Sequence, residues 1–335
     1  MNALRIAAAG KCEFLQLPEP KLSNEDDVIV QVKCVGICGS DVHSYAHGAN
    51  CPVIPGHEVV GIVAEKGKNV SKLDVGDHVV LEPLVSCGEC YACKKGYPNV
   101  CKNAMCLGCQ TDGGMREFFV YDQSHWHKLP QALPFEAAVL IEPYTVGLEV
   151  VTRGEVREGD VVLIHGAGPA GLIAMDLSKK LGATCIISDV VDGRLKIAQK
   201  LGADYTLNPT KTDLPAFCMD ITGGEGPNVI IDAAGLASMM DANVKLVSQA
   251  GRIVCMGIDL REASYDMLQV SIKEASIVGS RMQQKRFPAV IANCWDYLKA
   301  ADRLVTDRFP FAQAEEAMKL AAKAAPDTAK VIVTF

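Results

Sequence analysis

The stretch Val161-Val162-Leu163-Ile164-His165-Gly166-Ala167-Gly168-Pro169-Ala170-Gly171 decides the fold. A short apolar run, a Gly-x-Gly-x-x-Gly turn and a helix-forming segment from Ala170 to Leu181 follow one another without a break. Glycines in that spacing mean little alone; the strand before and the helix after give the motif its meaning. Gly166, Gly168 and Gly171 allow a tight turn and let a pyrophosphate approach the N-terminus of the helix opening at Ala170. Unpaired N–H groups and the helix dipole favour an anion there. Further on, Asp189 ends the apolar run Cys185-Ile186-Ile187-Ser188. An acid at that point accepts ribose hydroxyls and repels a 2′-phosphate, and Val190-Val191 follow it with no arginine immediately at hand, so NAD is favoured over NADP.

Working outward, apolar runs alternate with helical segments through Gly193–Leu201, Val229–Ile231, Ser238–Ser248, Arg252–Cys255 and Ala275–Val278. This βαβ series implies a parallel sheet of about six strands. Residues 1–143 read as mostly β, with runs such as Val28–Val32, Val59–Val63 and His78–Leu81 between turns. The tail shows helix-like stretches at Ala289–Lys299 and Gln313–Ala324, and a closing strand at Lys330–Val333 that is expected to pair back with the first domain.

A chain of 335 residues suggests two domains. With 33 basic and 40 acidic residues the net charge is −7, and no basic block is present to attract nucleic acid or an anionic membrane. Apolar runs fall well short of the ~20 residues that cross a bilayer, and no targeting segment is legible, so a soluble cytoplasmic protein is expected. That compartment keeps thiols reduced, so the 14 cysteines point to metal wherever they cluster.

They cluster at Cys87-x2-Cys90-x2-Cys93-x7-Cys101, with Gly88 and Gly96 between them. Four thiolates suit a closed tetrahedral zinc that holds a lobe, residues 86–102, and does no chemistry. An iron–sulfur cluster is the rival; the absence of a following proline and of a second motif speaks against it. Cys106 and Cys109 form another Cys-x2-Cys pair, but two ligands do not complete a site, so both are taken as buried packing.

An open, working zinc needs three protein ligands and a vacant position. Gly36-Ile37-Cys38-Gly39-Ser40-Asp41-Val42-His43 and Gly56-His57-Glu58 supply a thiolate, an imidazole and carboxylates on what read as strand-edge turns. Singly, each is more ordinary as a core residue. Together, and over the whole length, they resemble the zinc-containing medium-chain dehydrogenases, the family of liver alcohol and sorbitol dehydrogenases.

The resemblance implies an α/β fold: a mostly-β GroES-like catalytic domain (1–143 and 285–335) and a Rossmann NAD-binding domain (144–284). It makes Cys38 and His57 ligands of a catalytic zinc, and the four-cysteine lobe a structural site. The third ligand falls at Glu142, in Leu140-Ile141-Glu142-Pro143, where simple alcohol dehydrogenases have cysteine. Glu142-Pro143 resembles the sorbitol and polyol branch, in which Glu58 or Glu142 meets the metal or its water. By the same resemblance Ser40 touches the substrate oxygen and His43 carries the proton outward, while Arg194 packs near the adenosine. Thr145, Ala233, Gly235, Met256 and Ile258 line the nicotinamide half.

The polar loop Ser44–Cys51 suits a polyhydroxylated substrate better than an alkyl alcohol. Arg281 falls where the family brings a loop over the nicotinamide, and its guanidinium can hold a sugar-acid carboxylate, the cofactor ribose or an ion-pair partner. The expectation is an NAD-linked zinc dehydrogenase of polyols or sugar acids, homodimeric or homotetrameric, with two zinc ions per chain. The alternatives are a threonine-type or diol dehydrogenase of the same family, and a zinc-free reductase-like or non-catalytic binding protein.

Overall fold

The alternating runs after Asp160 build a six-stranded sheet in which every neighbour is parallel. Its spatial order is Tyr205–Leu207, Thr184–Ser188, Val161–His165, Val229–Asp232, Arg252–Cys255, Ser276–Gly279. The chain winds one way from Val161–His165 and then returns to start the other half at Val229–Asp232. Sheets of this kind bind ligands at the carboxyl ends of the two strands where the order reverses. Val162, Leu163, Ile164 and Val229, Ile230, Ile231 are wholly buried, as expected for parallel strands covered on both faces.

The computed structural model describes residues 1–335 and divides them into two units, Met1–Glu142 with Gln284–Phe335, and Pro143–Gln283. In the first unit the strand Asp27–Ile37 is the hub. It pairs antiparallel with Glu58–Lys66, with Phe118–Asp122 and with the tail strand Lys330–Thr334. The tail strand thus returns to the first unit as its sequence suggests, with Val305–Pro310, not foreseen, parallel along its other side. The core below this sheet includes Val28, Val30, Val59, Phe119, Trp126 and Val331.

Two local readings are corrected, and Glu142 is given its place. Gly39–His47 is a helix capped by Cys38, not a strand-edge turn. Glu142 lies in the first turn of a 13-residue helix, Ile141–Arg153. The single helix expected over Ala289–Lys299 is broken into Phe287–Ala292, Cys294–Tyr297 and a 3-10 turn, Leu298–Ala300. The break falls at Asn293, whose side-chain amide donates to the Ala289 carbonyl at 2.9 Å and so competes for a backbone acceptor. The short elements Tyr205–Leu207, Leu214–Ile221 and Met267–Lys273 carry too little periodicity to be seen in sequence. No helix is long and apolar enough to cross a membrane.

The glycine turn is a packing requirement as well as a ligand device. A Cβ on Gly171 would stand 1.9 Å from the Gly166 carbonyl oxygen, which is backbone and cannot swing aside. Gly171→Ala is therefore expected to destabilise the protein by roughly 1–3 kcal/mol. Urea unfolding measures this, and an unchanged midpoint would contradict the close approach.

Candidate functional site

The four-cysteine lobe is shaped by two left-handed glycines, Gly88 at φ 71° and Gly96 at φ 85°, which turn the chain around its centre. Cys90 precedes the short helix Tyr91–Lys94 that carries Cys93. All four sulfurs lie within 4.8 Å of one another, with Cys90 and Cys93 at 3.5 Å and Cys87 and Cys101 at 3.4 Å. Tetrahedral zinc with Zn–S of about 2.3 Å would set roughly 3.8 Å between sulfurs, so the set fits that ion. Backbone N–H groups of Cys87 and Asn103 point at Cys101 Sγ from 3.4 and 3.3 Å, and they hold its thiol below the ordinary value.

The second cluster grows from the ends of two paired strands. Cys38 follows Asp27–Ile37 and His57 precedes Glu58–Lys66, so strand pairing delivers both to one edge. One ligand atom each from Cys38, His57 and Glu58 lies within 4.8 Å of the others, a set that fits a zinc ion with a position left for substrate. Glu58 is buried, and a Cβ on Gly36 would collide with its Oε2 at 1.9 Å, so the glycine makes room for the carboxylate. Both Glu58 oxygens accept from Lys330 Nζ, at 2.5 and 2.8 Å.

Glu142 is also buried, and burial pushes its carboxyl up to about 7 against the pull of His57; Glu58 adds to the rise. Burial likewise raises Asp41, to about 6, although His57 opposes it. Asp41 accepts from the Cys38 N–H at 2.9 Å and stands 3.8 Å from His57 Nδ1, so it fixes the backbone at Cys38 and puts negative charge beside the imidazole. Burial favours neutral His57, but Asp41, Cys38 and Cys109 outweigh it and raise its pKa well above the usual value.

Sequence reasoning gave Lys330 and Asp41 no role of their own and took Cys106 and Cys109 as buried packing. Cys109 is no packing residue: its sulfur is 3.4 Å from His57 Nδ1 and 3.9 Å from Ser40 Oγ. The Cys106 thiol and His57 lower its pKa against the effect of burial. Only the tertiary fold brings these groups together, although the Cys-x2-Cys spacing was a usable signal. Ser40 and His43 lie three residues apart on the helix Gly39–His47, both exposed, and the His43 ring packs on His47 at 4.7 Å.

In the second unit Gly166 follows Val161–His165 at φ 96°, and Gly168 caps the helix Pro169–Lys180, which includes Ala170 and Gly171. Asp189 is buried and fastens this loop, accepting from the Ala167 N–H at 2.9 Å and the Val191 N–H at 2.8 Å. Arg194 stands 3.8 Å from the same carboxylate. Asp232 accepts from the N–H groups of Ala234, Gly235 and Leu236, which curls Ala233–Gly235 against the glycine turn. Met256 is half-buried just beyond Arg252–Cys255, and Ile258 is 87% exposed, which no core role explains. Thr145 is fully buried on Ile141–Arg153, and Arg281 is exposed beyond Ser276–Gly279.

A family model of the alcohol dehydrogenase GroES-like domain matches residues 24–131, and a zinc-binding dehydrogenase model matches residues 169–296. The starvation-sensing protein RspB of Escherichia coli K12 is 36% identical over 96% of this chain and 94% of that protein. Sorbitol dehydrogenase of Bacillus subtilis is 32% identical over 95% and 92%. A crystal structure of RspB from E. coli CFT073, described as a short chain alcohol dehydrogenase complexed with NADH, matches with a TM-score of 0.94 at 35% identity. It covers 100% of this chain and 99% of that one.

The Lys330–Glu58 pair is the cluster's most desolvated contact, with both side chains at most 3% exposed. Lys330→Met leaves a buried carboxylate unpaired and is expected to cost about 3–5 kcal/mol, whereas Lys330→Met with Glu58→Gln recovers most of that loss. Urea unfolding of both variants measures it; equal stability of the two would refute the pairing.

Proposed function

The chain belongs to the zinc-dependent medium-chain alcohol dehydrogenase family, and from that premise we propose that it oxidises a secondary alcohol of a polyol or sugar acid with NAD. The observation that carries the reading is the meeting of Cys38, His57 and Glu58 within 4.8 Å beside buried Glu142. When bound, zinc supplies a Lewis acid that lowers the pKa of the substrate hydroxyl, and NAD accepts the hydride from the carbinol carbon.

The protein's own groups do the rest. Cys38 and His57 hold the metal, and the Asp41 carboxylate, 3.8 Å from the ring, supports the imidazole electrostatically. Glu58, held by Lys330, is the carboxylate that meets Cys38 and His57, while buried Glu142 stands by as a second acid whose charge a metal cation would restore. Ser40 takes the hydroxyl proton and His43 passes it on, both exposed on one helix face at a three-residue spacing. The lobe at Cys87, Cys90, Cys93 and Cys101 holds a second, structural zinc.

On the cofactor side, Gly166, Gly168, Ala170 and Gly171 would seat the pyrophosphate and Asp189 the ribose, with Arg194 beside the adenosine. Thr145, Ala233, Gly235, Met256 and Ile258 would line the nicotinamide; exposed Ile258 is well suited to cover it. The polyol preference is supported by Glu142-Pro143 and by the sorbitol dehydrogenase relative. Exposed Arg281 is suited to a sugar-acid carboxylate. We place the enzyme in the cytoplasm as a homodimer or homotetramer.

Full-length protein is expected to reduce NAD with at least one polyol or aldonate in a screen that also includes threonine and small diols. Activity confined to threonine or diols would move the substrate assignment, and activity with NADP alone would overturn the role of Asp189. Metal analysis is expected to find two zinc ions per chain. In His57→Ala one remains, and turnover falls at least about 100-fold, because a Lewis acid is worth several kcal/mol. A single zinc in the unaltered protein would favour the zinc-free or non-catalytic alternative.

A further inference from the structure

Cys106 and Cys109 belong neither to the four-cysteine lobe nor to the ligand set at Cys38, His57 and Glu58. Their sulfurs and one His57 ring nitrogen nevertheless lie within 4.8 Å of one another. His57 Nδ1 and Cys109 Sγ are 3.4 Å apart. A tetrahedral zinc with Zn–N of about 2.0–2.1 Å and Zn–S of about 2.3 Å would set roughly 3.6 Å between those atoms.

Backbone contacts, not chance side-chain rotamers, build this arrangement. Met105–Cys106 pairs with Leu84–Val85, and the Leu107 N–H bonds the Pro83 carbonyl at 2.9 Å. Gly113 and Gly114 N–H groups bond the carbonyls of Ile54 and Gly56 at 2.7 and 2.8 Å. A Cβ on Gly108 or Gly113 would stand 2.4 or 2.2 Å from the Gly56 oxygen, so both glycines let the loop press against the residue preceding His57. Within the turn, Cys109 N–H bonds the Cys106 carbonyl at 3.0 Å and Gln110 Oε1 accepts from the Cys106 N–H at 2.7 Å. Cys106 is 9% exposed and Cys109 half-buried, a thiol pair held beside an imidazole with limited access to water.

We propose that His57, Cys106 and Cys109 form a second, thiolate-rich position for the zinc ion of the open site, sharing His57 with the Cys38–His57–Glu58 set. The proposal rests on the zinc reading of that open site. Neutral His57 has one ring nitrogen free to bind and keeps a proton on the other, so one ion occupies one position or the other. Binding in the second position sends the thiol protons of Cys106 and Cys109 to solvent. A soft cation gains a second sulfur ligand by moving there, whereas the set at Cys38 offers one sulfur and harder carboxylates. The Cys106–Cys109 position is thus a store that retains zinc without Cys38.

The test is cadmium-113 NMR with metal counting on the full-length chain loaded with cadmium, because the resonance moves downfield with each added thiolate. The four-cysteine resonance serves in every sample as the mark of a folded lobe. Cys38→Ser is expected to keep two ions per chain, the second in the range of two sulfur ligands. Cys38→Ser with Cys106→Ser and Cys109→Ser is expected to lose that second ion and its resonance. If Cys38→Ser binds only the lobe ion, or if the triple variant still binds two, the proposal is overturned. A single ion in the unaltered chain would overturn the open-site reading and this proposal together.

Discussion

Burying Asp41, Glu58 and Glu142 with three thiols around His57 puts more negative charge in a desolvated place than one imidazole can balance. The arrangement of the first unit follows from that constraint. Lys330 answers part of it: burial alone would lower its pKa, but Glu58 and Cys38 raise it, so the ammonium stays charged. Its host strand, Lys330–Thr334, runs beside Asp27–Ile37, which leads into Cys38. The tail is therefore drawn into the first unit by electrostatics at the site as well as by the burial of Val331, Ile332 and Val333. The remaining excess is carried by carboxyls pushed toward neutrality, Asp41 to about 6 and Glu142 to about 7, the condition a divalent cation would reverse.

What the chain revealed before folding was what depends on near neighbours. The Gly166–Gly171 turn announces itself because a strand, a turn and a helix are adjacent in sequence, and the six-strand parallel sheet follows from repeating that unit. The four-cysteine lobe is local in the same sense, its ligands set by short spacings and by Gly88 and Gly96. Lys330 is different: it meets Glu58 across 272 residues, and a lone lysine in a closing strand carries no mark of its partner. Cys106 and Cys109 likewise have a neighbour that their spacing does not show. Two thiols complete no site by themselves, and the fit of Gly108 and Gly113 against Gly56 is what brings them beside His57. The tail helix failed on a smaller scale, because periodicity cannot register one asparagine amide competing for a carbonyl.

Asp189 shows how a residue read for one purpose serves two. Its carboxylate was singled out as an acceptor for ribose hydroxyls, yet in the fold it already takes backbone N–H bonds from Ala167 and Val191. A carboxylate has about four lone-pair sites, so two backbone donors leave capacity for hydroxyls. The backbone bonds also fix where those lone pairs point, and they couple the glycine turn rigidly to the end of Thr184–Ser188. Arg194, 3.8 Å away, offsets part of the negative charge that would repel a 2′-phosphate. In the proposed NAD reading, geometry at this position therefore counts for more than net charge. Moving the carboxylate aside would break its bond to Ala167 in the glycine turn and its bond to Val191.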